Sequence, residues 1–216
     1  MTTYLQLQST ALQFAMKPGD TTLTNLFPTF VMMVETDLNR RIRTADLVVR
    51  TKLTASDARI ALPANFNELK TIAPTQATLQ TISNAGFYGD PLINKTLEYV
   101  PDVAYEPLEW NQFTKEGNEL LVSWFLKAGE FDVVYYRSVP PLTASSNTNW
   151  LVQKHFDVML YGVLSHIFNF NEEPENFEKY TTLYESKVAA LQAEDKKKES
   201  AGGYLAGSTA SNIAVV

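Results

Sequence analysis

Apolar residues recur along this chain with two different periods, and the switch between them divides it. Leu26, Phe30, Val34, Leu38 and Ile42 stand four apart, with Val31 and Met33 beside them. That spacing predicts an amphipathic helix of about five turns. Upstream, Tyr4, Leu5, Leu7, Leu12, Phe14 and Ala15 suit a shorter helix over 3–16, and Lys17-Pro18-Gly19-Asp20 reads as the turn between the two. Thr22 or Thr24 is the expected cap of the long helix, with Pro28 in its first turn or at its true start. Arg40, Arg41 and Arg43 at its far end suit the negative pole of a helix.

From Asp46 the period falls to two. Residues 47–53 (LVVRTKL) and 59–63 (RIALP) read as successive strands joined by a polar turn over 54–58, and residues 65–69 (NFNEL) turn into a third, Lys70–Ala73. Residues 74–95 are rich in Thr, Gln, Asn and Gly and read as a loop-rich excursion with room for one short helix. Residues 97–100 and 105–113 follow, and then 119–125 and 131–139 read as a hairpin turning at Gly129. Pro140 and Pro141 end the last strand, because neither can donate to a ladder. A polar loop leads to a helix opening at Trp150, capped by Asn147 or Asn149. Val152, Phe156, Met159, Leu160, Val163, Leu164, Ile167 and Phe168 give it an apolar face wide enough to be buried on two sides. Pro174 opens a further helix carrying Phe177, Tyr180, Leu183, Tyr184, Val188 and Leu191 and closing at Lys196–Lys198. The break before it is short, so the two helices should form an antiparallel hairpin.

The fold class is therefore α+β: a helical bundle from residues 1–45 and 147–199, with an antiparallel β-rich region, 46–146, inserted into it. Residues 200–216 hold Gly, Ala, Ser, Thr and Asn and close on Ile213-Ala214-Val215-Val216. They carry no core-forming pattern and read as a flexible C-terminal arm, its apolar end suited to anchoring on a partner by strand addition.

Composition narrows the function. The chain has 216 residues, 45% of them hydrophobic, which is enough for a buried core. Charged residues are 19% and the net charge is −6, which argues against a broad basic face for nucleic acid. With no cysteine there is no disulfide framework and no thiolate site, in keeping with a reducing cytoplasm. No apolar run reaches the length of a membrane span, and the first residues lack the basic and apolar regions of a secretory signal.

Candidate chemistry is sparse. His155 and His166 fall on one face of the predicted helix, but roughly 16 Å apart by helix rise, too far to share a metal. Glu172, Glu173, Glu175 and Glu178 cluster where a helix N-terminus favours acids anyway. Asp132 is a lone acid on a strand. Gly86-Phe87-Tyr88-Gly89-Asp90 lacks the lysine of a phosphate cradle. Arg40, Arg41 and Arg43, with Arg50 and Lys52, form a basic cluster able to meet a phosphate or an acidic surface. Trp110, Trp124, Trp150 and the Tyr135-Tyr136 pair are large anchors for a core or an interface. No catalytic, cofactor or metal constellation emerges.

Particular phrases, in order, sharpen this. Glu35-x-x-Leu38-Asn39-Arg40 is followed by Thr51-x-Leu53 and Leu62-Pro63-x-x-Phe66-x-Glu68-Leu69, then Val133-x-Tyr135-Tyr136, Pro140-Pro141-Leu142-Thr143 and Asn147-Thr148-Asn149-Trp150-Leu151. Leu160-Tyr161-Gly162-x-Leu164 and Tyr184-x-x-Lys187-Val188 complete the series. Over residues 25–195 the chain resembles the head-to-tail adaptor, or connector, proteins of tailed bacteriophages, those beneath the portal in short-tailed viruses. The resemblance implies a non-enzymatic virion protein, made in the host cytoplasm and resident at the head–tail interface. It implies self-association in a ring, commonly of twelve copies, that extends the portal channel and passes DNA without reading it. The β region would face tail, nozzle or fibre components, and the arm would lie along the portal. The interaction residues expected on this reading are Arg40, Arg41, Arg43, Ile213, Val215 and Val216. Other readings are a tail-tube or terminator subunit, which should be mostly β, a small wall hydrolase needing a catalytic acid or nucleophile in a cleft, and a monomeric small-ligand module with an internal pocket.

Overall fold

The computed structural model of the chain describes residues 2–78, 93–94, 112–123 and 126–201. Its elements, in order, are α1 (Tyr4–Phe14), α2 (Thr21–Arg41), a 3-10 turn (Ala45–Leu47), β1 (Val48–Thr54), β2 (Arg59–Ala61), β3 (Phe66–Pro74), β4 (Ile93–Asn94), β5 (Gln112–Glu116), β6 (Glu119–Val122), β7 (Glu130–Arg137), α3 (Trp150–Lys154), α4 (Phe156–Phe170) and α5 (Pro174–Ala201). This is a mixed α+β fold with two small sheets.

Local chemistry sets the helix ends. Thr3 caps α1 by accepting from the Gln6 N–H, and Asp20 caps α2 by accepting from the Leu23 N–H at 3.0 Å. The cap of α2 is thus Asp20 and not Thr22 or Thr24; a carboxylate one residue before the helix reaches the orphan N–H directly. Pro28 lies well inside α2 and neither in its first turn nor at its start. A proline there deletes the bond to the carbonyl four residues back, that of Thr24. Gln8 Nε2 of α1 donates to that carbonyl at 3.4 Å, which lets the helix run through.

α3 and α4 are likewise not one helix. His155 takes φ −132° and ψ 51°, outside the helical region, and splits the expected Trp150 helix in two. Asn149 is the cap that operates, its Oδ1 accepting from the Val152 N–H at 2.9 Å. At the other end, α5 does not stop at Lys196–Lys198 but continues to Ala201. Lysine and glutamate sustain a helix, and Gly202-Gly203 are the first residues that disfavour one.

α4 lies against α1, α2 and α5. Leu7, Phe27, Val34, Leu38, Met159, Val163, Leu164 and Val188 are among the residues that close a large apolar core between these helices. Gly162 marks the tightest approach. A Cβ there would sit 2.9 Å from both methyls of Val34 and 3.0 Å from the Tyr184 ring, so α2 and α5 come this close to α4 only because the position is glycine. Val139 and Leu142, beyond β7, reach into the same core.

The strands form one sheet in the order β1-β7-β3 and another in the order β2-β6-β5-β4. Pairing is antiparallel except that the two-residue β4 runs parallel to β5. Ile72, Phe131, Val133 and Tyr135 of the first sheet and Ile60, Phe113, Leu120 and Val122 of the second share a second apolar core. The alternation along β7 does both jobs: Phe131, Val133 and Tyr135 face this core, while Tyr136 turns to pack against the helical one.

The expected hairpin at Gly129 is not formed. β6 belongs to the second sheet and β7 is the middle strand of the first. The hairpin is β5–β6, turning at Gly117 with φ 55°. Gly129 is needed for space instead, since a Cβ there would fall 2.3 Å from the Thr78 methyl. The hydroxyl of Thr78 donates to the Glu130 carbonyl and accepts from the Glu130 N–H, both at 2.8 Å, and so pins the start of β7.

Candidate interaction surface

The three arginines at and just beyond the end of α2 share a stretch of four residues, yet they do three different things. Successive helical side chains point about 100° apart, which separates Arg40 from Arg41, and Arg43 follows the extended Ile42 beyond the helix. Arg41 forks onto both carboxylate oxygens of Glu185 on α5, and its Nη1 also reaches Asp37 Oδ2 at 3.0 Å. Its basicity is raised, first by the Glu185 hydrogen bonds. Arg43 pairs with Glu68 on β3 and donates to the carbonyls of Asn39 and Ile42 at 2.9 and 2.7 Å. Arg40 is exposed and has no polar partner among the described residues. On β1, Lys52 pairs with Glu130 at 2.9 Å and Arg50 is exposed. Arg41, Arg43 and Lys52 therefore hold elements of this chain together. Ile213, Val215 and Val216, like Trp110, Trp124 and residues 86–90, lie outside the described residues.

Arg41 and Arg43 border a more extensive feature. The chain passes between helices and sheets twice, at residues 42–47 and 138–149, and buried polar side chains clamp both crossings. On the second, Asn39 Oδ1 accepts from the Val139 N–H at 2.7 Å. Glu35, 7% exposed, accepts at Oε1 from the Leu142 N–H at 2.8 Å and from Asn149 Nδ2 at 3.4 Å. Asn149 Nδ2 also donates to the Pro140 carbonyl at 2.9 Å. On the first crossing, Asp195 of α5 accepts from the Ala45 N–H at 2.8 Å, and Gln192 donates to the Arg41 carbonyl at 2.9 Å. Asn67 ties β3 to the Asn39 carbonyl at 2.7 Å, and Lys154 ties α3 to Asp46 at 2.6 Å.

Glu35 is the unusual member. Burial pushes its carboxyl up to about 7, with the Leu142 N–H pulling the other way. Sequence reasoning assigned it no role, although a signal was present: it sits inside the apolar stripe Val31, Val34, Leu38, where a carboxylate needs a donor to be tolerated.

The remaining candidates have local roles. His155 sits at the α3–α4 break, so the two histidines do not share one continuous helix face; its ring meets Trp150 edge-on at 5.6 Å. His166 is half-buried on α4, and burial lowers its basicity. Asp132 stands opposite Lys52 in the β1–β7 register. Glu173 accepts from Asn176 at 2.8 Å in the first turn of α5. Among the described residues no group of acids and histidines is placed to hold a metal, and no helix is long and apolar enough to cross a membrane.

The arrangement can hold two bodies, each with its own core, in a set relation, and it offers separate surfaces on each. A family model described as SU10 adaptor protein matches residues 2–206. No curated protein matches the chain.

Proposed function

The chain belongs to the SU10 adaptor protein family, a phage structural family and not an enzyme family, and on that premise we propose that copies of it form a ring joining the portal to the tail and extending the DNA channel. As a virion adaptor it works against other head and tail proteins. The finer reading gives it the portal on one side, tail, nozzle or fibre proteins on the other, and about a dozen copies of itself around the axis. The helical bundle and the inserted β region are the two working parts, and residues 200–216 are the arm that engages the portal.

The observation that supports this reading best is the double clamp. An adaptor has to present two different surfaces at a defined angle. Among the described residues two crossings of the chain link the two apolar cores, and buried or part-buried hydrogen bonds to Glu35, Asn39, Asn149 and Asp195 fix both. The net charge of −6 suits a subunit past which DNA moves without being held.

Since α5 continues to Ala201, deletion of residues 202–216 tests the arm. The shortened chain should fold with an unchanged helical signal and lose the ability to join portal-containing heads. Normal joining by the shortened chain would contradict the role given to the arm.

A further inference from the structure

A cleft of about 460 Å³ runs along β3, lined by residues 66–72 and, across from them, by Phe113, Lys115 and Leu120. Side chains of a strand alternate between its faces. A cleft touching seven consecutive residues therefore runs along the backbone edge and not over one face. Among the described residues that edge carries no strand: β3 ends the order β1-β7-β3 and pairs only with β7. An edge strand beside an apolar wall is a template for another strand.

The end of α5 points to the occupant. Gln192 and Asp195 bind the chain at Arg41 and Ala45, and Asp195 and Lys196 share a hollow with Arg43 and Tyr136. Tyr136 is the β7 partner of Glu68, near the start of β3, and Arg43 pairs with Glu68 itself. Asp195 and Lys196, in the last turns of α5, thus lie close to one end of the cleft. Fifteen residues, 202–216, follow Ala201. Extended, they reach about 50 Å, and seven strand residues span about 23 Å. Gly202 and Gly203 come first and permit any change of direction. Ser211-Asn212-Ile213-Ala214-Val215-Val216 has no charged side chain and no proline, and β-branched Ile213 and Val215 fall on one face of a strand. Lys115 and Lys70, the latter bound to the Tyr136 hydroxyl at 3.3 Å, line the cleft, and Glu68 is already paired to Arg43, so a stretch without charged side chains suits it better than the lysine-rich end of α5.

We propose that, in the free subunit, residues 211–216 of the same chain add as a strand to the open edge of β3, with Ile213 and Val215 against Phe113 and Leu120. The arm is then held in reserve and the sheet edge is shielded, and both become available when a partner captures the arm. This rests on the reading of 200–216 as a partner-engaging arm and adds its regulation.

The chain has no cysteine, so engineered pairs report directly. The free protein carrying Lys115→Cys with Val215→Cys is treated with a short bis-maleimide. A control carries Lys179→Cys, exposed on α5, with the same Val215→Cys. Cross-linking within one chain should be at least about tenfold faster for the first pair and independent of protein concentration. Equal rates, or links that form only between chains, overturn the proposal. Hydrogen exchange gives a second reading: the β3 amides facing away from β7 should exchange about tenfold faster once residues 202–216 are removed, and unchanged exchange overturns it. Both measurements use the free protein. Failure here with joining still lost on arm deletion refutes the parked arm alone; cross-linking present with joining intact refutes the arm's role at the portal.

Discussion

The helical bundle and the β body each close an apolar core but leave different things at their surfaces. Among the described residues, every large apolar side chain that remains exposed belongs to the bundle: Leu5, Phe14, Met16, Met32, Met33, Phe170 and Phe177. The β body exposes charged pairs, such as Arg59 with Glu119 and Lys52 with Glu130, and strand edges that have no partner strand among the described residues. The difference follows from backbone chemistry. A helix satisfies its own N–H and C=O groups, so a partner can gain only from its side chains. A sheet leaves a row of unpaired backbone groups at each edge, so a partner can gain from the backbone itself. Two bodies of opposite kind, clamped together, give one subunit two modes of contact.

The comparison breaks first at the cores. Phe27 and Phe131 are both fully buried, one in each. Truncating either to alanine should cost about 3–5 kcal/mol. If the clamp makes the two bodies one cooperative unit, each change lowers a single urea transition, followed by circular dichroism at a helical and a sheet wavelength. Two separated transitions in either variant would mean that the bodies unfold independently.

The clamp itself should be pH-sensitive. Glu35 has its carboxyl raised to about 7 in the fold, against an ordinary value of 4.5. The folded state therefore takes up this proton before the unfolded state does. Its stabilising contribution is complete below about pH 4.5 and is lost as the pH rises through 7, a fall on the order of 3 kcal/mol. Glu35→Gln should remove that slope, matching the parent near pH 5 and exceeding it at pH 8 in urea midpoints. A parent with flat stability from pH 4.5 to 8 would contradict the assignment. Asn149→Ala should cost less, about 1–2 kcal/mol, because it deletes the α3 cap and the bond to Pro140 but leaves Leu142 on Glu35. Smallest is Arg41→Ala. Its pair with Glu185 is 31% and 51% exposed, so about 0.5–1 kcal/mol is expected, shrinking further in high salt, as thermal melts at two salt concentrations would show.

The bundle was the more legible half. Each helix carries its own apolar stripe, and a stripe is local information. The hard points were those where a distant residue decides. Pro28 looks like a helix start until Gln8 is seen to occupy the carbonyl it frees. His155 lies inside an unbroken apolar pattern, yet the helix breaks there. Gly129 looks like a hairpin turn, but Thr78, fifty residues away, requires it. The arginines at the end of α2 were visible as a cluster, whereas their partners Glu185 and Glu68 come from other elements that sequence order does not bring near. Glu35 and Asn39 appeared only as part of a family phrase. Their chemistry emerges once Val139 and Leu142 are folded back over α2.

The central claim is that this chain is a subunit completed by assembly against the portal, and the direct test is its mass in solution by size-exclusion with light scattering, alone and with the portal protein. The account predicts that the 24.2 kDa chain leaves its own peak and co-elutes with the portal as a large complex holding many copies. A chain that stays apart from every folded portal preparation would contradict it.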